Sequence, residues 1–178
     1  MSGMKEALGV LICVGILSYV LITQFNQVPV EQNVPVVAFE GTAPETAGPV
    51  SYFVNNCSRC HGPADNAYAE FTKPRRGEEM KKFIVLMADG PALAPIDPAG
   101  VEMQYHLHNA MLDKAPYAWI DPTQTDLIAG ELIEGTTVYL NTGTERIKAA
   151  ITDDYRFVLP KRNGTIELER DGKKQVLK

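Results

Sequence analysis

Cys57, Cys60 and His61 stand in the stretch "CSRCH", two thiols two residues apart with an imidazole directly behind the second. Residues of these types at this spacing suit three kinds of chemistry. A structural zinc site uses the same ligands but needs four of them, usually from a second Cys/His pair. His106 and His108 could contribute, yet the only other cysteine, Cys13, lies inside an apolar run. A thioredoxin-like dithiol wants a strand before it and a βαβ context, and the upstream residues are of the wrong kind. Covalent attachment of a c-type haem fits best. Two thiols on one helical turn can each add to a haem vinyl group, and the adjacent histidine then meets the iron from one face.

The flanking residues extend this pattern. "GPVSYFVNNCSRCHG" places the aromatic Phe53 four residues before Cys57 and a glycine, Gly62, after His61. Over Gly48 to Gly135, about half of the chain, the sequence resembles the class I cytochrome c family. "DGPALAPI" (Asp89 to Ile96) resembles the family's Gly-Pro-x-Leu loop, whose proline carbonyl supports the histidine ligand, which implies that role for Pro91. "PAGVEMQYHLHNAM" is similar to the helix that precedes the distal ligand, and "DPTQTDLIAGELIEG" (Asp121 to Gly135) to the closing helix that crosses the first one. The resemblance implies one covalent haem c, held by Cys57 and Cys60, with His61 and a second side chain on the iron.

The elements that must position these groups can be read from residue patterns. Asp121 suits an N-cap, Pro122 the first helical position and Gly135 a stop, so a helix is expected over 121–135 with Leu127, Ile128 and Leu132 on its apolar stripe. Between His61 and Pro91 the chain is longer than a compact family member needs. The spacing there predicts an inserted helix, Glu78 to Ala88, burying Phe83, Ile84 and Met87. The charged run Lys73 to Lys82 reads as a solvated helix start, with a docking patch as the alternative.

The sixth ligand is the open choice. Family members usually carry a Met-Pro pair shortly before the last helix, whereas here Pro116 follows Ala115. Met111 is the methionine at a suitable distance and is the expected ligand; His106, His108, Met103 and an open position are the alternatives. On a helix over Gly100 to Leu112, Met103, Leu107, Ala110 and Met111 share a face, with His106 at its edge and His108 opposite. A thioether ligand raises the potential and a second imidazole lowers it. Tyr117 and Trp119 are expected to pack over the haem edge.

At the N-terminus, Ala7 to Phe25 is nineteen residues without a charge. As a helix it would span about 28 Å, close to a bilayer's hydrocarbon core, and its flanks lack a small-residue cleavage site. The reading is a transmembrane anchor over 1–25, then a tether over 26–47 carrying Pro29, Pro35 and Pro44, a haem domain over 48–135 and a small unit over 136–178. Lys5 before the span and Glu31, Glu40 and Glu45 after it place the haem domain on the periplasmic side of the cell membrane.

After Gly135 short runs rich in Val, Ile, Thr and Tyr alternate with "TGT", "TDD", "RNG" and "RDG", the pattern of antiparallel hairpins. The expected fold is therefore mainly α: a transmembrane helix, a cytochrome c-like helical domain and a small antiparallel β unit. The formal net charge of −5 argues against a nucleic-acid partner. The expected function is electron transfer, not catalysis, with redox proteins or subunits of a membrane-bound electron-transport complex as partners. The alternative is a haem protein with a labile or open distal site, acting as a small-molecule sensor or peroxidase.

Overall fold

The computed structural model describes residues 35–43, 47–64, 66–68 and 74–177. Short strand β1 (Val36–Ala38) precedes four helices: α1 (Pro49–Asn56), α2 (Ser58–His61), α3 (Gly77–Asp89) and α4 (Pro98–Asp113). Eight strands follow: β2 (Ala118–Ile120), β3 (Leu127–Leu132), β4 (Thr137–Asn141), β5 (Arg146–Lys148), β6 (Ala150–Ile151), β7 (Arg156–Pro160), β8 (Thr165–Arg170) and β9 (Lys173–Leu177). They form a five-stranded sheet in the order β1-β5-β4-β8-β9 and a four-stranded sheet in the order β2-β3-β7-β6.

The mainly α expectation is corrected by these two sheets. The β structure begins at Ala118, well before Gly135, and takes in β1, which pairs in parallel with β5. The helix expected over Asp121 to Gly135 is strand β3, paired with β2 on one side and β7 on the other. Asp121 does not cap a helix. It is buried, and its carboxylate accepts from Thr123 N (2.9 Å) and Gln124 Nε2 (2.9 Å), closing the turn between β2 and β3. Local cap signals and an apolar stripe were compatible with either element, and pairing with β7 decided it. The helix that packs on α1 is α4.

Between the sheets lies a core of Leu132, Val138, Leu140, Ile147, Phe157, Leu159 and Leu168. The alternating burial along β4 is what a strand with one covered face requires. Hairpin β8–β9 turns on Asp171–Gly172, both at positive φ (48° and 77°), the backbone of a two-residue primed turn. That matches the reading of "RDG".

The helices follow their sequence signals closely. In α4, Asp97 caps by accepting from Gly100 N at 2.6 Å and Pro98 opens the helix. The inserted helix is present as α3, and its buried face is Met80, Ile84 and Ala88, one turn apart in each step. Phe83 is half-buried under the Arg75 guanidinium, 3.4 Å from the ring centroid. Arg75, Arg76 and Lys81 of the charged run are each ion-paired, to Glu79, Asp113 and Glu102 respectively.

The single-pass membrane expectation is also corrected. Among the described residues no helix is long and apolar enough to cross a membrane. The longest, α4, has 16 residues and carries Glu102 and Asp113. The segment Ala7 to Phe25, on which the anchor and the periplasmic placement rested, lies outside the described residues.

Candidate functional site

The thiols and imidazole of "CSRCH" are gathered by a break between two helices. α1 ends at Cys57, whose N–H donates to Phe53 O at 2.8 Å. The single turn of α2 follows, with the N–H groups of Cys60 and His61 both directed at Cys57 O at 3.1 Å. Gly62 ends the turn at φ 75°, a left-handed conformation that glycine adopts without a Cβ penalty. Cys57 and Cys60 are both free; Cys57 is half-buried and Cys60 exposed.

Cys57 and His61 open onto a cleft enclosing about 730 Å³, its mouth included. Helix α3 lines it with Met80, Phe83, Ile84 and Met87, and α4 with Gln104 and His108. Apart from those two residues of α4, the walls are mainly aromatic and aliphatic, as in ordinary cofactor sites. The polar groups are few and well placed. The Tyr68 hydroxyl is hydrogen-bonded to His108 Nδ1. Gln104, 1% exposed, donates through Nε2 to Pro49 O at 2.7 Å, while its Oε1 is buried without a partner.

Burial sets the protonation of these groups. It pushes the His108 imidazole down to about 4, helped by the charge of His61. It pushes Tyr68 up to about 12, with Cys57 as the second cause. Burial, then Cys60, raises the Cys57 thiol. An attacking dithiol needs a depressed thiol pKa, so the redox-pair reading of Cys57 and Cys60 is disfavoured.

The expected site residues fare differently. Phe53 is fully buried beside His61, ring centroids 6.5 Å apart. Met111 is 5% exposed in a cluster with Leu107, Ala110 and Ile133 and is not among the cleft residues. His106 is exposed against Tyr105, and Met103 is half-buried on α4. Pro91 is exposed in the loop after α3 and does not line the cleft. Trp119 lies against Gly48, at the far end of α1 from the cysteines. Tyr117 packs at the edge of the Phe53 cluster.

Cleft residues that escaped a reading by motif include Tyr68, Met80, Gln104 and, as more than packing, Met87. The signal for the methionines was the spacing Met80–Ile84–Met87, which sets two thioethers on one face of a helix. As an ion site built from protein side chains alone, the expected metal-binding centre is corrected as well. Among the described residues no group of three or more His, Cys, Asp or Glu is assembled to hold an ion. A structural zinc site needs four such ligands, and the described residues do not bring them together.

No family model matches the chain, and no curated protein or solved structure is significantly similar to it.

Do the residues present fit a covalent porphyrin? Such a group needs two free thiols on one turn, one neighbouring imidazole and an apolar slot. Cys57, Cys60 and His61 supply the first two, and the cleft between α2, α3 and α4 supplies the third.

Proposed function

We propose that the chain is a monohaem c-type cytochrome of the class I kind, working as an electron carrier. One observation supports this above the others: Cys57 and His61 line an apolar cleft whose facing helix carries two methionines, with Cys60 exposed on the same turn. Haem bound there supplies a one-electron iron couple. Cys57 and Cys60 would hold it through thioether links, and His61 would bind its iron.

Met87, rather than Met111, would supply the second ligand to the iron. Met80 is packed into a cluster with Ile84 and Val101, and Met111 into the core beneath α4. Met87 lines the cleft and is only half-buried, so its thioether is not committed to packing. The apolar walls exclude water and would favour the less charged ferrous state. Other redox proteins are the partners this reading calls for.

The decisive experiment is expression alongside a cytochrome c maturation apparatus, followed by mass measurement of the denatured chain. One haem mass should remain attached, and Cys57→Ala with Cys60→Ala should abolish it. A chain that stays haem-free under those conditions overturns the proposal.

The polar pair Gln104 and His108 supports a second reading, an open distal face that binds a small molecule. Carbon monoxide separates the two. Rapid binding to the ferrous protein without displacement of a sulfur ligand selects the sensor or peroxidase reading.

A further inference from the structure

A buried carboxylate of the C-terminal sheets caps the helix that leads into the Cys57–His61 turn. Glu131, 1% exposed on β3, receives Gly48 N on Oε1 at 2.8 Å. Its Oε2 receives Val50 N at 2.8 Å and Ser51 N at 2.9 Å, and the Ser51 hydroxyl donates to Oε1. The first N–H groups of a helix have no partner within it and are normally met by the N-cap side chain. Here the N-cap is Gly48, which has none. The cap comes instead from a residue some eighty positions downstream, and its negative charge lies at the positive end of the helix dipole.

Gly48 is required by this contact. A Cβ there would lie 2.4 Å from the Trp119 ring and 2.9 Å from Glu131 Oε2. Glu131 itself is held in the middle of a sheet, opposite Trp119 of β2 and Arg156 of β7. On the other side of the same turn, Gln104 of α4 holds Pro49 O. An eight-residue helix is a short rod of about 12 Å. Fixing its first turn on two sides fixes the direction in which its last turn delivers Cys57 and the α2 turn that follows.

We propose that Glu131 is the positioning residue of the Cys57–Cys60–His61 turn, and that the β sheets serve as the scaffold carrying it. The role assigned to the turn rests on the proposed function, but the direction of the turn can be tested without cofactor. Glu131→Gln removes the charge and turns an amide donor toward backbone donors. It should be compared with Val138→Ala, a core truncation in the other sheet, at a temperature where both have lost equal thermal stability. Hydrogen exchange of the purified protein, read peptide by peptide, is the measurement.

E131Q should raise exchange over Tyr52 to Gly62 at least tenfold above V138A. Where the protein can be loaded, haem occupancy should fall severalfold in E131Q alone. Equal exchange over Tyr52 to Gly62 in the two variants overturns the proposal. Should E131Q fail to fold, Ser51→Ala decides it. That variant deletes one donor, and it must show the same local rise at smaller size or the proposal falls. A parent chain that never carries haem refutes the proposed function, while the exchange comparison still decides the role of Glu131.

Discussion

Phe53 meets His108 edge to face, with ring centroids 5.6 Å apart and planes at 76°. Tyr68 holds the same imidazole from another side, its ring centroid 5.7 Å away and its hydroxyl on Nδ1. An imidazole packed between two aromatic rings and 9% exposed is kept neutral by desolvation. Its basicity is lowered from the usual 6.5 to about 4, so between those values the unfolded chain binds a proton that the folded chain does not. Stability is then complete above pH 6.5 and is lost as the pH falls toward 4. Between pH 7 and pH 5 the loss should be about 2 kcal/mol. Denaturant melts of the haem-free chain at the two values would measure it, and His108→Gln should flatten the difference; an unchanged slope in that variant would assign it to other groups.

The two thiols should differ sharply in reactivity before any cofactor is attached. Cys60 is exposed, whereas Cys57 is half-buried and its thiol is raised first by burial and then by Cys60. The thiolate is the reacting form. Iodoacetamide at neutral pH should label Cys60 at least tenfold faster than Cys57, as peptide mass mapping would report. Equal rates would mean that the turn is open to solvent at both positions.

Much of the helical half was legible because its signals are local. Asp97 and Pro98 stand at the start of α4, and the inserted helix expected over Glu78 to Ala88 is α3, although of the expected buried side Phe83, Ile84 and Met87 only Ile84 is buried. The Cys57–His61 turn was legible for the same reason, since Cys57, Cys60 and His61 lie within five consecutive residues. The strand at Leu127–Leu132 was hidden because Asp121, Pro122 and Gly135 imitate helix caps, and only pairing with β7, thirty residues on, resolves them. Met87 and Gln104 escaped for a related reason. What sets them apart from ordinary core residues is the cleft they share with His61, and no short spacing encodes that.

Gly130 offers a direct test of the strand. In the pairing of β2 with β3 it faces Ile120, and a Cβ there would lie 1.8 Å from the Trp119 carbonyl oxygen. A backbone atom cannot swing aside as a flexible side chain can. Gly130→Ala should therefore cost roughly 3 kcal/mol or more, in the range of severe steric changes. Were residues 121–135 helical, the same substitution would stabilise by about 1 kcal/mol. A thermal melt of the single variant distinguishes the two by sign.

Met87 and Met111 make opposite predictions for spectrum and stability. Met111 is 5% exposed and surrounded by Leu107, Ala110 and Ile133, so Met111→Ala leaves a cavity and should cost about 3 kcal/mol. It should leave the haem spectrum unaltered, because Met111 does not reach the cleft. Met87 is half-buried on the cleft wall, and Met87→Ala should cost about 1 kcal/mol or less in the haem-free chain. In the loaded protein it should abolish the sulfur-to-iron absorption band, lower the midpoint potential and open the ferrous iron to carbon monoxide, since a thioether ligand raises the potential and blocks the face it occupies. The reverse pattern, with the band lost in M111A and kept in M87A, would require α4 to turn in the loaded protein and would return the sixth position to Met111. Loss of the band in neither variant would pass the position to Met80, the other thioether along the cleft, whereas a loaded parent protein with no such band would pass it to His108.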